Sequence, residues 1–521
     1  MKTILATLLV FVLASPSYAQ SIPAKSNILV SADCEDTGTC TTHDTHNNAM
    51  VTRANNGNIV EVFFDTGSDL GYESPCNMFG YAVSTDGGNS FQDKGAIGLG
   101  YDGTWLQPYL FTDTGSGRIY IASSASNCVL GHSAITNLFV STDNGNTFNW
   151  LSDPLGALNC NAFNSCYMDD PTMVVDNYPG TSQGYIYFAA HFNNFGRGKP
   201  SGLYVTVSKD DGRTWSSPTE LEGDSSVGYA YGGQLAVGPD HSVYIAWWDT
   251  TIHGRAVGAD SYYLLGKTTN SGSVWNVVSY IGNAVVNQVA QLAAPPSDGF
   301  QFTQFPKLAV SPLSSSNLYI TYNGVGTKTG DNSDIFFIYS TNGGSSWSSP
   351  VRVNDDAISE DQWSPTMAIT PDGKSILVYW YDRREIISCP SNNGNLEIRP
   401  YGAWINTASY AVSKNFRIGK VPFCAVVYQD QADTTDAGAG FLYMGFYNGA
   451  VCPTVSICLV TWDDNRDTDP VPDCANCGGV DRGTATPYLA NVRYSALTTP
   501  NSNSLHSGSG WFFWSWSGTG Y

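Results

Sequence analysis

The chain is 521 residues long and carries 24 Lys and Arg against 45 Asp and Glu, a net charge of −21. Nucleic-acid binding draws its affinity from Lys and Arg on phosphates, so a surface of this sign excludes a polyanion as partner. Charged residues are only 13% of the chain and aromatic residues also 13%, and with Gly, Ser, Thr and Asn abundant and no sustained helical period the composition points to an all-β protein.

The N-terminus opens with Lys2, an apolar run over residues 4–14, then Pro16, Ser17, Tyr18 and Ala19. That is the charge, core and small-residue order of a secretory signal peptide. Cleavage after Ala19 would leave residues 20–521 as a single exported domain, extracellular or, in a bacterium, periplasmic. No later stretch is apolar for long enough to span a bilayer. The twelve cysteines fit export, because disulfides persist in oxidising compartments; six lie between Cys34 and Cys166 and six between Cys389 and Cys477. Cys474 and Cys477 form a CxxC with no second pair, which reads as bridging rather than zinc binding.

Two motifs recur in step along the chain. The first is a β-branched and aromatic strand that ends on a polar or acidic residue: NIVEVFFD from 58, RIYIASS from 118, YIYFAAHF from 185, SVYIAWWD from 242, LYITYNG from 318, SILVYWYD from 375 and ICLVTWDD from 457. The second is a polar turn: STDGGNSF from 84, STDNGNTF from 141, SKDDGRTW from 208, TTNSGSVW from 268 and STNGGSSW from 340. A short strand such as PTMVV at 171 or PTMAI at 365 precedes most copies of the first motif, so each unit holds four antiparallel strands. Units of roughly 60 to 75 residues match propeller blades. Seven copies predict a seven-bladed β-propeller, with six blades as the alternative if the first and last partial units share a sheet.

In the turn, the Asp side chain accepts backbone N–H groups that follow it, the Gly takes a backbone angle other residues resist, and Phe91, Phe148, Trp215, Trp275 and Trp347 bury rings between sheets. These turns are similar to Asp boxes, and the chain resembles the Asp-box (BNR) repeat propellers, whose best-known members are sialidases. A degenerate sixth box is read at 411–416, AVSKNF. The resemblance covers most of the mature chain and implies glycan recognition and exo-sialidase-like hydrolysis of a terminal sugar. In that family an arginine triad holds the substrate carboxylate, a tyrosine nucleophile is supported by a glutamate, and an aspartate acts as acid/base. The family's FRIP segment has no counterpart here.

Alternating strand direction puts the Asp-box turns on one face of the ring and the longer loops on the other. The opposite mouth therefore collects the residues after second strands and before first strands. WYDRRE at 380 and TWDDNRD at 461 place Asp382, Arg383, Arg384, Asp463 and Arg466 there as candidate catalytic residues: guanidinium groups for a carboxylate clamp and a carboxyl for acid/base work. The same segments also read as Asp–Arg pairs that tie adjacent blades. Asp249, Arg255, Tyr231, Asp170 and Glu360 are the candidate substrate-binding residues. No cofactor is expected, although Asp463, Asp464, Asp467 and Asp469 offer oxygen ligands of the kind calcium takes, and His43 and His46 form a pair with no visible third metal ligand. Besides a glycan, the competing partner is a protein or a second copy of the chain, for which the aromatic WFFWSWSGTGY at 511–521 is a candidate surface.

Overall fold

A second strand that is sandwiched between neighbouring sheets has both faces buried, so it is written in apolar residues without alternation. Ile186–Asn194 and Ser375–Asp382 are such strands, buried almost throughout. In the computed structural model, residues 28–30, 46–65, 79–97, 103–127, 132–158, 166–194, 201–224, 230–249, 262–269, 271–281, 300–301, 305–388, 396–423, 442–443, 448–468 and 483–493 are described. The leader-like N-terminus, His43 and the aromatic 511–521 segment lie outside them.

All seven apolar copies become the second strands of seven four-stranded antiparallel sheets. The innermost strands are His46–Arg53, Gly103–Thr112, Cys166–Val175, Ala230–Val237, Lys307–Ser311, Gln362–Ile369 and Ala450–Thr454. The sheets stand in a ring as blades 1 to 7, each inner strand against the next and the seventh against the first. The molecule is a seven-bladed β-propeller.

Its core is divided in the same way. Seven clusters of buried side chains lie one in each gap between blades, from Val60 with Ile121 in the first gap to Phe63 with Leu459 and Leu489 in the last. Large rings fill the gaps: Trp247, Trp380 and Trp462 are all fully buried. Burial of each such side chain stabilises the ring by roughly 1.5 to 3 kcal/mol.

The ring is closed by the N-terminal end of the chain. Ile28–Leu29 forms the outer strand of blade 7, Ile28 opposite Leu489 and Leu29 opposite Tyr488. The first and last segments thus do share a sheet, and that sheet is the seventh. The Cys452–Cys458 disulfide ties the first hairpin of this blade, and Cys166 at the start of the blade 3 inner strand is also disulfide-bonded.

Every one of the five polar turns joins the third and fourth strands of its blade. In blade 6 the corresponding turn is Asn406–Tyr410, ahead of the AVSKNF segment: Asn406 Oδ1 accepts the N–H groups of Ala408 and Ser409 at 2.9 and 3.0 Å. Asn keeps the acceptor that Asp supplies in the turns of blades 1 to 3. On the mouth side, the connections from blade 4 to 5 and from blade 6 to 7 meet in a short parallel pair, Phe300–Gln301 with Leu442–Tyr443. Among the described residues no helix is long and apolar enough to cross a membrane.

Candidate functional site

The repeated turns bind themselves. Asp210 accepts the hydroxyls of Ser208 and Thr214 at 2.9 and 2.7 Å and the Thr214 N–H at 2.8 Å, and Asp143 and Asp86 repeat the pattern with Ser141 and Thr147 and with Ser84 and Ser90. The Ser90 hydroxyl and then Ser84 hold Asp86 well below the ordinary carboxylate range. Partial burial opposes the same effect at Asp143 and Asp210, yet Thr and Ser hydrogen bonds keep both low. Carboxylates held this firmly ionised cannot shuttle protons near neutrality. The turn rings reach back to the preceding blade: Trp215 Nε1 donates to Ser152 at 2.9 Å, and Phe148 meets Tyr81 edge-on at 5.2 Å.

Chemistry gathers on the other face. In the inner strands of blades 3, 4 and 6 the ladder slips between Asp169 and Thr172, Tyr231 and Gln234, and Trp363 and Thr366. One residue of each bulge is left-handed: Asp170 at φ 50°, Gly232 at 64° and Ser364 at 48°. Bulges re-aim side chains at sheet margins, and only in blade 3 is the left-handed residue ionisable. Asp170 is 3% exposed. It faces Lys307 of the blade 5 inner strand, whose ammonium is pushed down to about 8 by burial and drawn back by the Asp170 charge.

Around this pair stand further groups. Burial raises the Asp169 carboxyl above its ordinary value, while the Asp170 N–H and His191 pull it back. His191 is fully buried; its Nε2 lies 3.0 and 3.1 Å from the two Asp224 oxygens, and its Nδ1 lies 2.9 Å from Asn193 Nδ2. An amide donor at Nδ1 leaves the Nε2 proton pointing at Asp224. Asp249, fully buried at the end of its strand, adds to the burial that raises Glu222. Tyr109 of blade 2 reaches Gln234 of blade 4 at 2.5 Å, in front of the blade 3 inner strand.

A second set lies between blades 5 and 6. Asp382, 1% exposed, accepts Trp380 Nε1 at 2.7 Å, the Arg384 N–H at 2.7 Å and Arg384 Nε at 2.8 Å. Burial raises its carboxyl and Arg384 opposes the rise. Arg384 also bonds Asp355 and Asn415, both at 2.8 Å, and lies 4.3 Å from the Tyr401 ring centre. This side chain fastens the blade 5 to 6 connection. Arg383 lies over Trp363 at 5.1 Å and attracts the Glu360 and Asp361 carboxylates, both of which burial raises. Asp463 is fully buried, its N–H bonded to the Tyr381 hydroxyl at 3.0 Å.

The structure therefore brings Asp170 and Lys307 together across blades, and Glu360 with Arg383, while it pairs Asp382 with Arg384. Tyr231, Arg466 and Asp464 are described through their backbone alone, and Arg255 and Asp469 lie outside the described residues. Among the described residues no group of three His, Cys, Asp or Glu is arranged to hold a metal ion. His191, Asp224 and Lys307 were not singled out from the sequence. Two signals were present: YIYFAAHF carries an imidazole at the place where NIVEVFFD, SVYIAWWD and SILVYWYD carry an aromatic ring, and PKLAV carries Lys where PTMVV and PTMAI carry Thr.

No protein-family model matches the chain, and no curated protein matches it. Solved structures similar to it include a protein of unknown function from Dyadobacter fermentans, at 12% identity over 91% of this chain and 100% of that one with a TM-score of 0.45. An α-L-arabinanase from Penicillium chrysogenum, complexed with arabinobiose, is 12% identical over 75% of this chain and 100% of its own, with a TM-score of 0.45. The phage phi92 endosialidase is 9% identical over 93% of this chain and 71% of its own, with a TM-score of 0.46.

Proposed function

We propose that this is an exported Asp-box propeller that binds a glycan at its mouth and hydrolyses a terminal sugar there. The observation that carries the reading is the adjacent pair Asp169 and Asp170 on the blade 3 bulge, one carboxyl raised by burial and the other facing Lys307. A carboxyl kept protonated above its ordinary range suits a general acid for a glycosidic oxygen. Carboxylates and an ammonium in one recess suit vicinal sugar hydroxyls, which both donate and accept. Arg383 with Glu360 extends the polar lining; Asp249, fully buried, and Trp363, 2% exposed, lie too deep to touch a sugar.

A sialidase-like carboxylate clamp would draw on Arg383 and Arg466, because Arg384 is engaged by Asp382 and Asp355. The test is a panel of chromogenic sialosides, hexosides and pentosides run beside a glycan array. Turnover that falls about 100-fold or more in Asp169→Asn, with the fold intact, supports a general acid. A folded wild-type protein that neither turns over any glycoside nor binds any glycan overturns the reading and favours a protein-binding or self-assembling scaffold.

A further inference from the structure

On the mouth side of blade 5 three carboxylates share two cations. Arg352 lies 2.6 Å from Asp334 and 3.0 Å from Asp356, and Lys328 lies 3.2 Å from Asp356 and 3.6 Å from Asp331. Asp334 is well served, accepting also the N–H and hydroxyl of Thr327 at 2.9 and 2.7 Å and Asn354 Nδ2 at 2.6 Å. Asp331 is not. It is 6% exposed, and neither of its side-chain oxygens has a hydrogen-bond donor. Burial first, and then the Asp334 charge, push it up to about 6, against the pull of Lys328 and Arg352.

Two segments meet here. Lys328 and Asp331 belong to the loop 325–333 between the second and third strands of blade 5, and Asp356 to the connection 353–361 that leads into blade 6. Lys328 Nζ donates to the Ile358 carbonyl at 2.6 Å, and Asn332 draws the Asp361 carboxyl down against the burial that raises it. Asp331 sits between these two ties in sequence. An ionised carboxylate there, buried beside Asp334 and Asp356 without a donor, favours any arrangement that returns it to water. Swinging it out carries Lys328 and Asn332 away from the connection. Arg384, 3.8 Å from Asp356, then holds the connection from the blade 6 side.

We propose that Lys328, Asp331, Asp334, Arg352 and Asp356 form a proton-operated clamp: with Asp331 neutral, loop 325–333 holds connection 353–361 closed, and its ionisation releases both. The released connection carries Glu360 and Asp361 beside Arg383. The clamp would thus be closed in acid and looser near neutrality, whatever ligand the mouth takes. It requires nothing of the glycan reading.

Hydrogen–deuterium exchange on the full chain tests it, with rates corrected for intrinsic exchange and compared at about pH 5 and about pH 7.5. Wild-type segments 325–333 and 353–361 are expected to exchange about tenfold faster at the higher pH, while the turn 208–215 stays unchanged. Asp331→Asn should hold both segments at the slow level at either pH. Lys328→Met, which removes the tie to Ile358, should leave connection 353–361 fast at both. A wild type without pH dependence in these segments overturns the clamp, as does an Asp331→Asn variant that keeps the wild-type pH dependence. If Asp331→Asn does not fold, slow exchange at both pH values in Lys328→Met overturns it instead.

Discussion

A single atom added to a turn glycine would meet different surroundings at the two successive places of the turn where glycine occurs. Gly145 is at φ 88°, and a Cβ there would lie 2.3 Å from Val60 Cγ2 in the preceding blade; Gly87 is at φ 75°, with nothing within 4 Å. The first glycine is needed twice, for its backbone angle and for the close approach of its turn to the neighbouring sheet. The second is needed for its angle alone. A left-handed non-glycine residue costs about 1 to 2 kcal/mol, and pressing a methyl into a packed, stiff side chain adds about 1 to 3 kcal/mol. Gly145→Ala should therefore lose about 3 kcal/mol in urea unfolding and Gly87→Ala about 1 kcal/mol. Equal losses would mean that the turn does not lock blade to blade. The contrast separates the recurring Gly of the turn from the place before it, which Gly87 holds in blade 1 and Asn144, Asp211 and Ser271 fill at left-handed angles in the next three blades.

At the scale of the strand, the inner-strand bulge is the device that presents the site. Asp170 holds a left-handed angle that Gly232 adopts without strain in blade 4. Replacing Asp170 with glycine removes a strain of about 1 kcal/mol together with the charge beside Lys307. Thermal unfolding of Asp170→Gly is expected at or slightly above the wild-type midpoint, with glycan binding weakened at least about tenfold under the proposed function. A midpoint lowered by many degrees would make the carboxylate a structural partner of Lys307 instead. Such bulges were not legible beforehand, whereas hairpins and second strands were. The seven apolar runs and five polar turns are local patterns, set by double-sided burial and by Asx-type bonding, and all fell where their periods predicted. The blade 6 turn was misplaced because Asn406 keeps the acceptor without the Ser, Asp and Gly spacing around it. Lys307 and Asp170 meet only because blades 3 and 5 curve round one axis, a relation that no local pattern encodes. Asp382 with Arg384 was legible as a pair since both ends lie in WYDRRE; the further bonds to Asp355 and Asn415 required the fold.

Over the whole molecule, stability depends on the one gap that joins the two ends of the chain. Blade 1 packs on blade 7 there, with the outer strand Ile28–Leu29 completing the latter. In the second strand of blade 1, Glu61 is fully buried; one oxygen is hydrogen-bonded by the Thr461 hydroxyl of blade 7, the other has no partner, and the Glu61 charge is felt by the Tyr379 phenol of blade 6. Burial pushes its carboxyl up to about 8, against the Thr461 hydrogen bond. In the unfolded chain the same carboxyl titrates near its ordinary 4.5. Between those two values the folded state holds a proton that the unfolded state has lost, so stability must fall as pH rises, by up to about 1.4 kcal/mol per pH unit. Below the window both states are protonated and above it both are ionised, so the dependence flattens at each end. Glu61→Gln keeps the shape and removes the titration. Its urea midpoint should match the wild type near pH 4.5 and exceed it near pH 8, where the difference should reach about 3 to 4 kcal/mol. Parallel profiles for the two proteins would place the alkaline weakness of the ring elsewhere than at its closing seam.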